Sequence, residues 1–150
     1  MHSLFNKYSL VVYALFLMIC SCKKEETTIV TTPELEFLSV TPSDLKEYQQ
    51  PLVFTIHYKD GDGDLGENNA SVKNLFLIDN RIGLKYEYRL QQLAPDNSPI
   101  SISGNFKVEL NTVAITDGSS IQNGTFSIYV IDRAGNKSNV VTSSTIVIRK

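Results

Sequence analysis

The sequence predicts an all-β fold, a seven-stranded antiparallel sandwich, and two observations support that prediction. Between residues 34 and 150 the chain has only four alanines, whereas valine, isoleucine and threonine are abundant, a composition that favours strands over helices. Apolar and polar residues also alternate, most clearly in residues 84–90 (LKYEYRL) and 106–110 (FKVEL). Because successive side chains of a strand point to opposite faces, each of these segments has one apolar face to bury.

Turn-forming residues divide this region into separate strands. They lie at 42–44 (PSD), 95–99 (PDNSP) and 117–120 (DGSS), where they favour reversals of the chain. The predicted strands are residues 34–40, 51–59, 72–79, 82–92, 104–111, 124–132 and 139–149. A short helical turn is expected only at 44–50 (DLKEYQQ). The inward faces predict one core between two sheets, which includes Phe54, Ile56, Phe106, Phe126, Ile128 and Val130.

Composition excludes several classes of protein. The 150 residues fit one domain, with 42% apolar and 20% charged residues and a net charge of −2. The chain is therefore neither a disordered polyampholyte nor a basic nucleic-acid binder. Its two cysteines are separated by one residue, so they cannot form a disulfide framework or a four-ligand zinc site. A hydrophobic core must stabilise the fold.

Residues 1–21 have the pattern of a cleaved signal peptide. One lysine and no acid precede an apolar run at 8–19, which is shorter than the about 20 apolar residues that a membrane-spanning helix needs. Residues 19–22 (ICSC) resemble a bacterial lipobox, with a branched apolar residue three positions before the modified cysteine and a small residue directly before it. The resemblance implies that the mature chain begins at Cys22 and carries fatty acyl (palmitate) chains there.

The residues after this cysteine resemble those of a known group of lipoproteins. Residues 22–26 (CKKEE) are similar to the start of surface lipoproteins of the Bacteroidetes, which implies a protein anchored in the outer membrane by its lipid and facing the periplasm or the cell surface. Residues 22–33 contain several threonines and end at Pro33, which predicts an extended lipidated tether. The domain is expected to occupy residues 34–150.

The end of the chain resembles a family of β-sandwich domains. Residues 124–138 (GTFSIYVIDRAGNKS) and the terminal strand at 145–148 (TIVI) are similar to the last two strands of bacterial immunoglobulin-like and fibronectin-type domains. The resemblance implies an immunoglobulin-like sandwich. Phe126 stands where these folds often have a corner tyrosine, and the chain lacks the tryptophan of antibody domains.

Residues 60–67 (DGDGDLGE) are the most unusual segment, with four acids in eight residues. Glycines between the acids let the backbone bend so that alternate carboxylates converge, and calcium takes about six to eight oxygen ligands. The EF-hand spacing does not fit, because Leu65 stands at the required glycine position and Ser71 at the position of the bidentate acid. A calcium site and a solvated Asp-Gly turn both stay open as interpretations. The candidate ligands in this segment are Asp60, Asp62, Asp64 and Glu67.

A second loop is expected at the same end of the molecule. In an immunoglobulin-like sandwich the loop after the second strand and the loop after the sixth emerge at one pole, which places residues 132–136 (DRAGN) beside the acidic segment. Asp132 would add a carboxylate and Asn136 a carbonyl oxygen to the calcium site. The alternative is a hairpin turn that needs no ion, with Gly135 at positive φ and Asp132 accepting hydrogen bonds from nearby amides.

The sequence does not support other kinds of chemistry. Residues 61–66 match the glycine spacing of a dinucleotide-binding loop, but Asp62 and Asp64 would repel phosphate, and a strand follows where a helix is required. His57 is the only histidine after processing, and no cysteine remains free, so histidine-based metal catalysis and cysteine proteolysis lack parts. No enzymatic activity and no nucleotide or nucleic-acid ligand are predicted.

The leading functional hypothesis is a non-enzymatic, lipid-anchored module of the cell envelope, with a binding, adhesion or accessory role and with calcium as a stabilising ion. Its expected partners are the membrane, through the lipid, and an extracellular protein or glycan. The alternative is a glycan-binding lipoprotein of a nutrient-uptake system, for which Tyr48, Tyr88 and Tyr129 are the candidate sugar-stacking residues. A small hydrolase that uses the acidic loop ranks below both.

The variant Cys22→Ser tests the anchor. Processing removes one of the 14 basic residues and none of the 16 acidic residues, which leaves a net charge of −3 and no particular attraction to anionic headgroups. Without acyl chains the protein is expected in the soluble fraction, as measured by membrane fractionation. Cys20→Ser is the matched control and should stay with the membrane. Retention of Cys22→Ser in the membrane would contradict the lipoprotein hypothesis.

Overall fold

The computed structural model describes residues 30–96 and 99–150. The predicted signal peptide, Cys22 and the tether as far as residue 29 lie outside the described residues. The described chain forms ten strands: β1 (Glu34–Thr41), β2 (Asp44–Lys46), β3 (Leu52–Asp60), β4 (Leu75–Asp79), β5 (Leu84–Tyr88), β6 (Ile102–Leu110), β7 (Ile121–Gly124), β8 (Phe126–Val130), β9 (Val141–Thr142) and β10 (Ile146–Arg149). Within these ranges no helix is long and apolar enough to cross a membrane. The predicted all-β class is confirmed.

The strands form three sheets that surround one core. In the first sheet β3 lies between β1 and β6, and in the second the order is β5-β4-β8-β9, with antiparallel pairing throughout both. The third sheet has the order β2-β10-β7, and in it β2 runs parallel to β10. Buried residues from all three sheets belong to one hydrophobic cluster, so the fold is sandwich-like.

Alternation along the strands builds this core. Every second side chain of β3 and β8 is buried, and the buried apolar set is Leu52, Phe54, Ile56, Tyr58, Phe126, Ile128 and Val130. The rings of Phe54 and Phe126 meet edge to face with centroids 5.2 Å apart, an arrangement that aromatic quadrupoles favour. This contact joins the first sheet to the second. All six residues predicted to share the core belong to it.

Strand boundaries differ from the prediction where the chain changes sheets. The predicted strand at 124–132 corresponds to β8 in the second sheet, and the residues just before it form β7 in the third sheet, a strand that was not predicted. The predicted strand at 139–149 is divided into β9 and β10. At this crossing Ser143 N donates to Phe126 O (2.8 Å), and Phe126 N donates to Ser143 Oγ (3.0 Å). The division at 139–149 and the additional strands β2 and β7 account for the ten observed strands in place of the seven predicted ones.

The strands predicted at 72–79 and 82–92 are shorter in the structure, and the Asn74 side chain forms hydrogen bonds where they end. The observed strands are β4 and β5, which end at Leu75 and Tyr88 on this side. Beyond them Asn74 Oδ1 accepts from Leu90 N (2.7 Å), and Asn74 Nδ2 donates to Leu90 O (3.2 Å). The buried amide thus satisfies two backbone groups of Leu90 that have left the sheet ladder.

The prediction of a helical turn at 44–50 is wrong. Residues Asp44–Lys46 form β2 and pair with β10, because Leu45 is buried beside Ile148 in the core. An exposed-buried-exposed pattern suits a strand better than a helix. The chain turns directly after this strand, and Tyr48 there has a φ of 62°.

A buried ion pair fixes the end of β4. Arg81 donates from Nε and Nη2 to Asp79 (2.9 and 2.6 Å) and from Nη1 to Ala114 O and Gln122 Oε1 (2.8 and 2.9 Å). The side chains of Arg81 and Asp79 are 7% and 2% exposed. Both oxygens of this carboxylate accept hydrogen bonds from a guanidinium, so its charge is compensated inside the protein.

Truncation of Phe126 tests the core. Phe126→Ala should lower the free energy of unfolding by about 3–5 kcal/mol, because it removes a fully buried ring and leaves a cavity. Lys85→Ala, an exposed position on β5, should change it by less than about 1 kcal/mol. Urea denaturation measures both values. Equal losses from the two variants would contradict the register of the strands.

Candidate metal centre

Asp60 is buried because it continues the inward face of β3. The alternation that buries Phe54, Ile56 and Tyr58 reaches Asp60 two residues later, and this residue is only 1% exposed. Its Oδ2 accepts a hydrogen bond from Leu65 N (2.8 Å). Its Oδ1 is buried and has no hydrogen-bond partner among the described residues. A carboxylate oxygen without a partner is costly in such a place.

Glycines allow the acidic loop to be enclosed by other segments of the chain. A Cβ on Gly61 would meet the carbonyl oxygen of Val30 at 2.2 Å, and a Cβ on Gly63 would meet that of Ile100 at 2.4 Å. Gly63 also has a φ of 75°, which residues with a side chain rarely adopt. The fully buried Leu65 fixes the loop to the core. The loop is thus covered by other segments of the chain rather than extended into solvent.

Three carboxylates converge inside this loop. Asp60, Asp62 and Asp64 each offer one oxygen, and these oxygens lie within 4.8 Å of one another. The Oδ1 atom of each of the three residues is buried without a hydrogen-bond partner among the described residues. Like charges at this separation repel one another unless a cation or a proton neutralises them.

The acidity of these groups reflects their burial and their mutual repulsion. Burial raises the pKa of Asp60 to about 6, and the nearby charges of Asp62 and Asp64 contribute to the same shift. Burial also raises the pKa of Asp64, followed by the charges of Asp132 and Asp62. The hydrogen bond from Leu65 N lowers the pKa of Asp60 and so acts in the opposite direction. Cation binding would therefore compete with protonation near pH 6.

The loop after β8 meets the acidic loop, as expected for the two pole loops. Arg133 N donates to Asp64 O (3.3 Å), and Ala134 N donates to Asp64 Oδ2 (3.1 Å). Asp132 is close enough for its charge to raise the pKa of Asp64. The strand order therefore brings this loop and its carboxylate beside the three converging aspartates.

Three of the candidate ligands have their own local partners. Asn136 N donates to Asp132 Oδ1 (2.8 Å), and Asn136 Nδ2 donates to Asp132 Oδ2 (2.9 Å). Gly135, at a φ of 91°, completes a hairpin turn between these two residues. Glu67 Oε1 accepts from Asn69 N (2.8 Å). Asp132, Asn136 and Glu67 thus stand outside the group of three converging aspartates, and hairpin chemistry accounts for the contacts within residues 132–136.

Arg133 belongs to the 132–136 loop that was expected at this pole, but no sequence motif indicated its role there. Its guanidinium donates to Gly66 O (2.9 Å) and Gly63 O (3.5 Å) and lies 3.8 Å from Asp96. Its charge lowers the pKa of Asp64, but its hydrogen bonds go to backbone carbonyls of the loop. The guanidinium of Arg133 therefore binds the backbone of the loop and does not pair directly with the three aspartates. No local sequence signal marks this role, because Arg133 and the loop that it contacts are far apart in the chain.

The N-terminal segment is another part of the site that the sequence patterns did not indicate. The carbonyl of Val30 lies against Gly61, and Asn136 Nδ2 donates to Thr31 O (3.1 Å). The last part of the predicted tether thus contacts both pole loops.

The other candidate residues lie away from this pole. His57 shares hydrogen-bond contacts with Asn105 Oδ1 (2.8 Å) and Ser103 Oγ (3.3 Å) on the outer face of the first sheet. Tyr129 stacks on Phe76 with centroids 4.7 Å apart. Tyr48 and Tyr88 line two separate clefts, so the three candidate tyrosines do not form one platform.

The raised pKa of Asp60 predicts a dependence of stability on pH in metal-free buffer. The folded state holds this proton up to about pH 6, whereas the unfolded chain releases it near the ordinary aspartate pKa of 3.8. The free energy of unfolding should therefore fall as the pH rises through this window. Asp60→Asn should reduce that fall, as measured by urea denaturation at a series of pH values, and Asp64, whose pKa is also raised, accounts for the remainder. The same pH dependence in wild type and variant would contradict the assignment.

Comparisons with protein-family models, curated proteins and solved structures found no match to this chain. The site itself offers a group of hard oxygen donors, enclosed by the chain and carrying negative charge that no cationic side chain of the described residues directly pairs.

Proposed function

We propose that this chain is a lipid-anchored, non-enzymatic binding module of the cell envelope, and that calcium bound by Asp60, Asp62 and Asp64 stabilises its β-sandwich. One observation carries the calcium proposal. Three buried carboxylate oxygens from one loop converge without hydrogen-bond partners among the described residues. A buried polar atom needs a partner, and a single cation would serve all three oxygens at once.

The donor set favours calcium over other metals. All three candidate ligands are carboxylates, whereas zinc and copper favour histidine or cysteine. Magnesium requires near-ideal octahedral geometry and retains several waters, while calcium accepts irregular sets of carboxylates, backbone carbonyls and waters. Asp132 contributes a fourth negative charge nearby.

The anchoring part of the proposal rests on residues 19–22 and 22–26, whose resemblance to lipoproteins suggests the outer membrane. The immunoglobulin-like assignment rests on residues 124–148 and on the sandwich-like arrangement of the sheets. Such domains serve many binding and adhesion roles, so the fold suggests a class of function and not a particular partner.

A non-enzymatic role agrees with the lining of the groove between β5 and β6. The groove between β5 and β6 has a volume of about 350 Å³ and is lined by Leu75, Tyr88, Arg89, Leu90, Phe106, Lys107, Val108, Glu109 and Asn111. None of the three converging aspartates lines it. A hydrolase that used these aspartates would need them to face a cleft that admits substrate.

One observation favours glycan binding as a second candidate function. Tyr48 is 68% exposed and lines a cleft of about 240 Å³ together with Tyr86 and Arg81. It also holds a φ of 62°, a conformation that costs a non-glycine residue energy and recurs at binding sites. Binding of the wild type but not of Tyr48→Ala on a glycan array would support this candidate.

Calcium should stabilise the folded protein in a concentration-dependent way. After chelator treatment, added calcium is expected to raise the melting temperature, because it binds the folded state. Asp62→Asn and Asp64→Asn should abolish this rise. Asp117→Asn removes a charge from an exposed turn elsewhere and should leave the rise intact. An unchanged melting curve of the wild type across millimolar calcium would contradict the proposal and favour a turn without a bound ion.

A further inference from the structure

Among the described residues, strand β6 has one edge that no other strand pairs with. It is nine residues long and lies at the margin of the first sheet, where it pairs only with β3. No strand among residues 30–96 and 99–150 pairs with its other edge. Such an edge exposes backbone donors and acceptors that a further strand could use.

The two faces of β6 differ in chemistry. Its outward-facing residues are Ser103, Asn105, Lys107 and Glu109, and Phe106, Val108 and Leu110 are buried on the inward face. The groove of about 350 Å³ separates this edge from the edge of β5, and apolar side chains of Leu75 and Tyr88 line it. A strand added to β6 would therefore continue an apolar face inward and a charged face outward.

We propose that the edge of β6 pairs antiparallel with the same strand of a second copy of this chain, with Val108 of the two copies opposite each other on a two-fold axis. In this register Lys107 of each copy lies opposite Glu109 of the other, so the interface contains two symmetric ion pairs. Residues 106 and 110 also lie opposite each other and are both apolar. The strand is thus self-complementary, as a two-fold interface requires.

Charge selects this register over its neighbours. A two-residue slip places Lys107 opposite Lys107 in one direction and Glu109 opposite Glu109 in the other, and like charges directly opposite one another destabilise a sheet. A one-residue slip would set the apolar face against the charged face. Only the proposed register combines opposite charges on one face with apolar pairs on the other. The proposal depends neither on calcium nor on the lipid anchor.

Sedimentation equilibrium tests the proposal on the mature chain with Cys22→Ser, from about 10 μM to about 1 mM protein. An interface of one strand pair is small, so a reversible dimer in this range is expected. Lys107→Glu and Glu109→Lys should each weaken the association at least about tenfold, because each creates like-charged pairs. The double variant Lys107→Glu/Glu109→Lys restores opposite charges and should restore the dimer.

A matched control separates the register from a general charge effect. Lys73→Glu changes the net charge as Lys107→Glu does, at an exposed position outside the strands, and should leave the association unchanged. Far-ultraviolet circular dichroism checks that each variant is folded. A monomeric wild type over the whole range, a dimer insensitive to either reversal, or a double variant that stays monomeric would each overturn the proposal.

Discussion

The acidic site depends on the inward face of β3. This strand lies at the centre of its sheet, and its alternation buries apolar side chains from Leu52 to Tyr58 before it buries the carboxylate of Asp60. A carboxylate cannot leave that face without a change of register, because a one-residue slip would also expose Phe54 and Ile56. The core therefore holds the carboxylate in place, and the loop after β3 must supply its partners.

Two buried carboxylates of this chain, Asp60 and Asp79, differ in the partners that surround their negative charge. Asp79 ends β4 as Asp60 ends β3, and both residues are 1% exposed. Asp79 receives hydrogen bonds from the Arg81 side chain and from Arg81 N, so its charge is balanced inside the protein. Asp60 has one backbone donor and two further aspartates beside it. The contrast shows that the fold can neutralise a buried carboxylate internally, and that at Asp60 it gathers further negative charge instead.

Much of the fold could be predicted from the sequence because alternation reports directly on burial. It identified the shared core, and the glycine-rich acids of residues 60–67 marked the candidate site. The sheet change at Thr125 was missed, since alternation continues across it and gives no sign that the pairing partner changes. The sheet change near Ser143 was missed because the polar residues 143–145 were included in one predicted strand. The roles of Arg133 and Val30 were missed for a related reason. Both arise from contacts between segments far apart in the chain, which no local pattern records.

The acidic loop and the entry of the chain into the sandwich share one pole. Val30 lies against Gly61, and Thr31 accepts a hydrogen bond from Asn136, whose other contacts hold Asp132. Repulsion among the aspartates acts on the same small set of backbone segments that fix the N-terminal strand. A cation held by the aspartates would remove that repulsion and so stabilise the contacts at the base of the proposed tether. In the proposed calcium-bound state, the stability of the site would therefore be coupled to the contacts of Val30 and Thr31 through Gly61 and Asn136.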